Sequence, residues 1–92
     1  MGGNGMKGMD IERGREVSQQ IQVRMDMIDD DIQKLNDIKS ALQENWAGQD
    51  QVEMDGKLDE AIQLYEAVKS ALEAKKTELD KDIDEQEQTS AQ

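Results

Sequence analysis

The chain has 92 residues and a formal net charge of −11, and it lacks proline, phenylalanine, cysteine and histidine. This length allows one small domain at most, and the acidic balance disfavours nucleic acid and anionic membranes, whose phosphates would repel the chain. Without thiol or imidazole groups the usual nucleophile, general base and zinc ligands are missing, so we expect no enzyme and no cofactor.

The first nine residues have a glycine-rich composition. Residues 1–9 contain four glycines and show no apolar periodicity, which predicts a disordered N-terminal tail. They also lack the apolar core of a Sec signal peptide. No run of about 18 apolar residues occurs in the chain, so the sequence predicts no membrane-spanning helix.

A first amphipathic stripe predicts a helix over residues 10–45, with Asp10 as its N-cap. Its apolar residues recur at spacings of three or four, as on one face of a helix. The strict heptad place after Leu35 falls on Lys39, so we expect the stripe to step sideways to Ile38. The stripe comprises Ile21, Met25, Ile28, Ile32, Leu35, Ile38, Leu42 and Trp46.

A turn at residues 46–49 follows, in which Gly48 supplies the left-handed conformation that ends a helix, and Asp50 suits the next N-cap. A second stripe then predicts a helix over residues 50–86, although Lys69 and Lys76 interrupt its strict seam. Residues 87–92 are expected to form a disordered acidic and polar tail. The apolar seam of this helix includes Leu58, Ile62, Tyr65 and Leu72.

Two helices of similar length joined by a short turn predict an all-α fold, an antiparallel hairpin spanning residues 10–86. A lone hairpin exposes half of any wide apolar stripe, so we expect two hairpins to dimerise into a four-helix bundle. The residues predicted for the hairpin or dimer seam are Ile21, Met25, Ile28, Ile32, Leu35, Leu42, Leu58, Ile62, Tyr65 and Leu72.

Two acidic runs resemble cation sites only superficially. Residues 29–31 are all aspartate, but successive residues on a helix point in different directions and do not converge on one ion. Asp80, Asp82 and Asp84 match the start of an EF-hand loop, yet its glycine position holds Glu85 and its last ligand position holds Ala91. We therefore expect no metal site. Calcium binding by the acidic C-terminal segment is a third interpretation, and it predicts melting that depends on calcium.

The segment NWAGQD, placed between two long amphipathic helices, resembles a known family. Trp46, Ala47 and Gly48, with Asp50 after them, match the W-x-G-x-D form of the WXG superfamily, the small early-secreted-antigen-type proteins of type VII (ESX) secretion systems. The segment at residues 8–22 is similar to the opening of helix one in such proteins.

The resemblance implies a non-catalytic hairpin, secreted without a Sec signal peptide, that pairs with itself or with a sibling. It also implies that Trp46 and Gly48 contact the secretion machinery, and that the type VII ATPase or a larger secreted toxin is a possible partner. The family's Tyr-x-x-x-Asp/Glu export signal is missing, because the fourth residue after Tyr65 is Lys69. Either a partner supplies the signal or the chain belongs to a branch that uses another one.

A second interpretation of the function rests only on the heptad spacing of the apolar residues. An intracellular antiparallel coiled-coil adaptor, or a structural bundle unrelated to secretion, has the same two stripes and the same turn. A type VII ATPase gene or a large toxin gene beside this one favours the first interpretation over the second.

Overall fold

The two amphipathic stripes fold as two long helices that pack against each other. The computed structural model describes residues 8–46 and 48–91, and within them it contains α1 (Gly8–Asn45), α2 (Gln49–Ala91) and no strand. The Cα atoms extend 66 × 19 × 15 Å, the dimensions of a rod two helices wide. The predicted all-α class is confirmed.

Contacts between side chains show that α1 and α2 run antiparallel in one constant register. Ser18 hydrogen-bonds Asp80 near the open end, and Gln43 hydrogen-bonds Asp55 near the turn. As many residues separate Ser18 from Gln43 as separate Asp55 from Asp80, so neither helix slips against the other between these contacts. Two ion pairs between them keep the same register: Asp29–Lys69 and Lys39–Asp59.

A continuous heptad pattern of burial follows from this register. With Ile11 as position a of α1 and Asp55 as position a of α2, positions a and d are buried or half-buried along both helices, except that Tyr65 stays 37% exposed. These positions are the seam. They are Ile11, Gly14, Ser18, Ile21, Met25, Ile28, Ile32, Leu35, Lys39 and Leu42 on α1, and Gln51, Asp55, Leu58, Ile62, Tyr65, Lys69, Leu72, Lys76, Leu79, Ile83 and Gln86 on α2.

The expected sideways step of the first stripe is wrong. The seam keeps its strict spacing from Leu35 through Lys39 to Leu42, and Ile38 is left 49% exposed. A step to Ile38 would rotate the helix by about 100° and carry its neighbours out of the seam. Lys39 is tolerated there because its aliphatic stem lies along the seam while its ammonium reaches the Asp59 carboxylate at 2.6 Å.

The second helix continues beyond its predicted end. It runs to Ala91, so the disordered tail expected at residues 87–92 is wrong for 87–91, and Gln92 lies outside the described residues. Ile83 is only 5% exposed against α1, and Glu87 forms an ion pair with Arg15. The Thr89 hydroxyl donates to the Glu85 carbonyl at 2.9 Å. The burial of Ile83 and the Arg15–Glu87 pair hold the last turns of α2 against α1, whereas the Thr89 bond lies within α2 itself.

The first helix begins slightly earlier than the pattern predicted. It starts at Gly8, so Asp10 lies in the first turn and is not the N-cap. Residues 1–7 of the predicted N-terminal tail lie outside the described residues.

Few side chains in the seam of this hairpin are fully buried. Among the described residues, the buried apolar side chains are Ile11, Met25 and Ile83, which are 7%, 5% and 5% exposed. Most other seam side chains are half-buried, because two helices enclose a seam from only two sides. The structure thus leaves apolar surface uncovered beside the seam.

Candidate functional site

The turn between the helices, which we call the elbow, is built around one glycine. Gly48 has φ +104°, a conformation that side-chain-bearing residues rarely adopt. Its carbonyl accepts the Val52 amide at 3.3 Å, the first hydrogen bond of α2. Gly48 is therefore the N-cap of α2. The sequence predicted Asp50 for that position, but Asp50 lies in the first turn of the helix. An acid there interacts favourably with the helix dipole.

Two carbonyl groups in the last turns of α1 accept hydrogen bonds near the elbow. The Trp46 amide donates to the Leu42 carbonyl at 2.8 Å. The Asn45 side-chain amide donates to the Ala41 carbonyl, also at 2.8 Å. These bonds end α1 without any use of the Trp46 ring, so the indole is free of a capping role.

Trp46 presents its ring at the tip of the hairpin. It is 54% exposed although tryptophan is the largest apolar side chain in proteins. Within the described residues it lines a shallow cleft of about 260 Å³ on the side of α2, together with Asp50, Glu53, Met54 and Lys57. The cleft combines an aromatic ring, a thioether and mixed charges, which suits contact with a partner's side chains.

The residues predicted for the seam occupy it with one partial exception. Nine of the ten are buried or half-buried between the helices: Ile21, Met25, Ile28, Ile32, Leu35, Leu42, Leu58, Ile62 and Leu72. Tyr65 holds the seam place between Leu58 and Leu72 but remains 37% exposed. This exposure is ordinary for a side chain with an apolar body and a polar tip.

Two lysines in the seam are held by carboxylates of the opposite helix. Lys69 Nζ lies 2.7 Å from Asp29 Oδ1, and Lys39 Nζ lies 2.6 Å from Asp59 Oδ1. In each case the hydrogen bond to the carboxylate raises the pKa of the ammonium above its usual value. The sequence pattern flagged these lysines as interruptions of the stripe, whereas the structure makes each one a link between the helices.

A third polar contact joins the helices nearer their open end. The Ser18 hydroxyl, in a residue only 6% exposed, donates to Asp80, and Lys76 Nζ donates to the same carboxylate at 2.9 Å. The Ser18 bond first and the Lys76 bond second lower the pKa of Asp80. Asp80, from the segment that resembled an EF-hand loop, is thus engaged with α1 and lies on a continuous helix.

The sequence pattern places Lys39, Lys69 and Lys76 at strict seam positions but predicts neither Ser18 nor the carboxylate partners of these residues. A strict count of every seventh residue from Ile11 leads to Ser18 and Lys39, and the same count from Asp55 leads to Lys69 and Lys76. That count was available from the sequence. Which carboxylate each residue meets depends on the register between the helices, and periodicity within one helix does not contain it.

The described residues hold no group of three or more His, Cys, Asp or Glu side chains placed to bind a metal ion. Nor does any helix of the described part have the length and apolar character required to cross a bilayer. Comparison with known proteins finds no matching family, no matching curated protein and no matching solved structure.

Proposed function

We propose that this chain is a non-catalytic, secreted helical hairpin of the WXG type, which acts by pairing with a second helical protein and by recognition at its elbow. The observation that carries the proposal is Trp46, an indole 54% exposed at the tip of the hairpin beside Gly48. An exposed tryptophan adds little to the stability of the hairpin. It is well suited to a binding contact, since tryptophan is enriched at the energetic centres of interfaces.

In this function the hairpin supplies a rigid, asymmetric rod. The cross-helix ion pairs and the strict seam hold α1 and α2 in one register, so the elbow projects at one end. The secretion machinery would engage Trp46 and Glu53 in the cleft at the elbow. The partner, either a second copy or a sibling, would cover apolar surface beside the seam.

The export signal of this protein is proposed to come from its partner or from another segment. Lys69, the fourth residue after Tyr65, is held in the seam by Asp29. A lysine cannot replace the acid of a Tyr-x-x-x-Asp/Glu signal, and this one is occupied by an intramolecular ion pair. In this proposal the hairpin itself serves only in recognition by the secretion machinery and in pairing with its partner.

The test is export in the producing strain and in the same strain without its type VII ATPase. We expect the protein in the medium of the first and only in the cells of the second. Export that continues without the ATPase, or no export from the parent strain, would remove the secretion proposal.

The role of the indole is tested by Trp46→Ala, with Trp46→Phe as the conservative variant and Val52→Ala as the matched control. Val52 is 65% exposed on α2, a few residues beyond the elbow. We expect Trp46→Ala to keep its helicity by circular dichroism yet lose most of its export, whereas Val52→Ala is exported normally. Normal export of Trp46→Ala would contradict recognition through the elbow.

A second function is favoured by one specific observation, the unbroken seam along both helices. An intracellular coiled-coil adaptor, or a structural bundle unrelated to secretion, needs this seam and no exposed indole. Under this alternative Trp46→Ala leaves partner binding in the cell unchanged. Export that depends on the type VII ATPase would exclude it.

A further inference from the structure

The two flanks of α2 differ in chemical character. In the heptad count used for the seam, position e of α2 holds Val52 and then acids alone: Asp59, Glu66, Glu73, Asp80 and Glu87. This flank takes part in the hairpin itself, since three of these carboxylates contact α1: Asp59, Asp80 and Glu87. Because Glu87 pairs with Arg15, which is also at position e, the e flanks of both helices lie on one side of the hairpin.

The opposite flank of α2, at positions c and g, carries a second stripe, and no cross-helix hydrogen bond or ion pair among the described residues involves it. We name it the outer stripe. Its large apolar side chains are exposed, Leu64 by 67%, Val68 by 45% and Met54 by 40%, whereas Ala61 is half-buried. From one end to the other it comprises Asp50, Met54, Lys57, Ala61, Leu64, Val68, Ala71 and Lys75.

The outer stripe complements itself when it is reversed. Aligned antiparallel with an identical stripe, Met54 meets Ala71 and Leu64 meets Ala61, so a large side chain faces a small one in both cases. Asp50 meets Lys75, so opposite charges meet at both ends. Lys57 meets Val68, along whose methyl groups its aliphatic stem can pack. The sizes of the facing side chains and the charges at the two ends therefore both favour this one antiparallel alignment.

Alignments displaced by one heptad lose this agreement. Sliding the copies in one direction sets Lys57 opposite Lys75, which brings two like charges together. Sliding them in the other direction sets Met54 opposite Leu64, two large side chains, and leaves Asp50 opposite Val68.

We propose that a second copy of this chain docks on the outer stripe, α2 against α2 in antiparallel orientation, with Ala61 and Leu64 nearest the two-fold axis. This names the partner and the surface in the pairing function proposed above, but it requires nothing of the export role. The stripe spans about 38 Å from Asp50 to Lys75 at 1.5 Å per residue.

Residues of α1 on the same side of the hairpin widen the interface. Met27 and Ile38, each 49% exposed, occupy positions c and g of α1 and adjoin the same flank. A stable interface buries on the order of 800 Å² on each partner, more than a single helix stripe provides. Their participation brings the contact toward that size, and it accounts for the exposure of Ile38 outside the seam.

The test is the mass in solution across a concentration series, by sedimentation equilibrium or light scattering. We expect the wild type to reach twice the 10.4 kDa mass of the chain. Leu64→Glu should raise the dimer dissociation constant at least about a hundredfold, because it places two carboxylates near the two-fold axis and removes two buried leucines. Leu64 is already exposed in the hairpin, so circular dichroism should be unchanged.

The matched control is Val52→Glu, which makes the same change of charge at an exposed aliphatic residue on the other flank of α2. It should leave the dimer intact. A wild type that stays monomeric at sub-millimolar concentration, or equal effects of the two substitutions, overturns the proposal.

The orientation is tested by exchanging charges at the ends of the stripe. Asp50→Lys and Lys75→Asp should each weaken the dimer several-fold, and the double variant should recover wild-type affinity. Failure of the double variant to recover overturns the antiparallel alignment. A monomer that is still exported would refute this inference alone, whereas a dimer that is not exported would refute the export function alone.

Discussion

Met25 and Met27 allow the substitution of methionine by alanine to be compared at a buried and at an exposed position of the same helix. Met25 lies in the seam and is 5% exposed, whereas Met27, two residues further along α1, is 49% exposed. Truncation of a buried methionine to alanine costs about 2–5 kcal/mol, from lost burial and from the cavity left behind. The hairpin is thin and can partly close such a cavity, so we expect about 2–3 kcal/mol for Met25→Ala.

The cost of Met27→Ala should be about 0.5 kcal/mol or less. Half of its surface already faces solvent, and alanine has a slightly better helix propensity than methionine. For a domain of this size, 1 kcal/mol lowers the melting temperature by about 4–8 °C, so Met25→Ala should melt about 10–20 °C below wild type.

Far-ultraviolet circular dichroism during thermal and urea unfolding measures both variants. The protein concentration should stay below the dimer dissociation constant, so that only the monomer is measured, because Met27 adjoins the proposed dimer surface. A difference between the two variants of less than about 1 kcal/mol would refute the assignment of Met25 to the seam and of Met27 to the surface.

Two further predictions concern the elbow and the polar seam. Gly48→Ala should lower the free energy of unfolding by about 1 kcal/mol, because φ is +104° there. Gly56→Ala, in mid-helix with open space around it, should raise the free energy of unfolding by about as much. A neutral or stabilising effect of Gly48→Ala in urea unfolding would show that the elbow does not require its glycine. Asp80→Asn should destabilise by no more than about 1 kcal/mol near neutral pH, since the carboxylate is 45% exposed. Because the pKa of Asp80 is lowered on folding from 3.8, its contribution is complete above that value and disappears as the pH falls through the folded pKa. The difference from wild type in urea unfolding should therefore vanish in acid, and a difference that persists there would contradict a role for the ionised carboxylate.

Much of the fold could be predicted from residue types and their spacing. The absence of proline between residues 10 and 86, together with two stripes at helical spacing, predicts two long helices, and Gly48 between them predicts the reversal. These features are local, because helix propensity, periodicity and the φ preference of glycine each act within a few residues. These local properties were enough to predict the elbow and nine of the ten seam residues.

The errors arose where distant parts of the chain meet. Ile38 is more apolar than Lys39, so a helix considered alone favours Ile38 as the buried residue. The opposite helix reverses that preference, since Asp59 offers Lys39 a partner at 2.6 Å and the neighbouring seam residues fix the rotation of the helix. Residue composition likewise predicts a tail at the last turns of α2, because Arg15, the partner of Glu87, is remote in sequence.

The sequence by itself determined two helices, their amphipathic faces and the elbow between them, because those properties depend on residues within one or two turns of each other. The tertiary structure decided the register between the helices, and with it which charges pair and which flank is left uncovered. That register is set by all of the seam contacts acting together. Any one of them is worth too little to fix it alone.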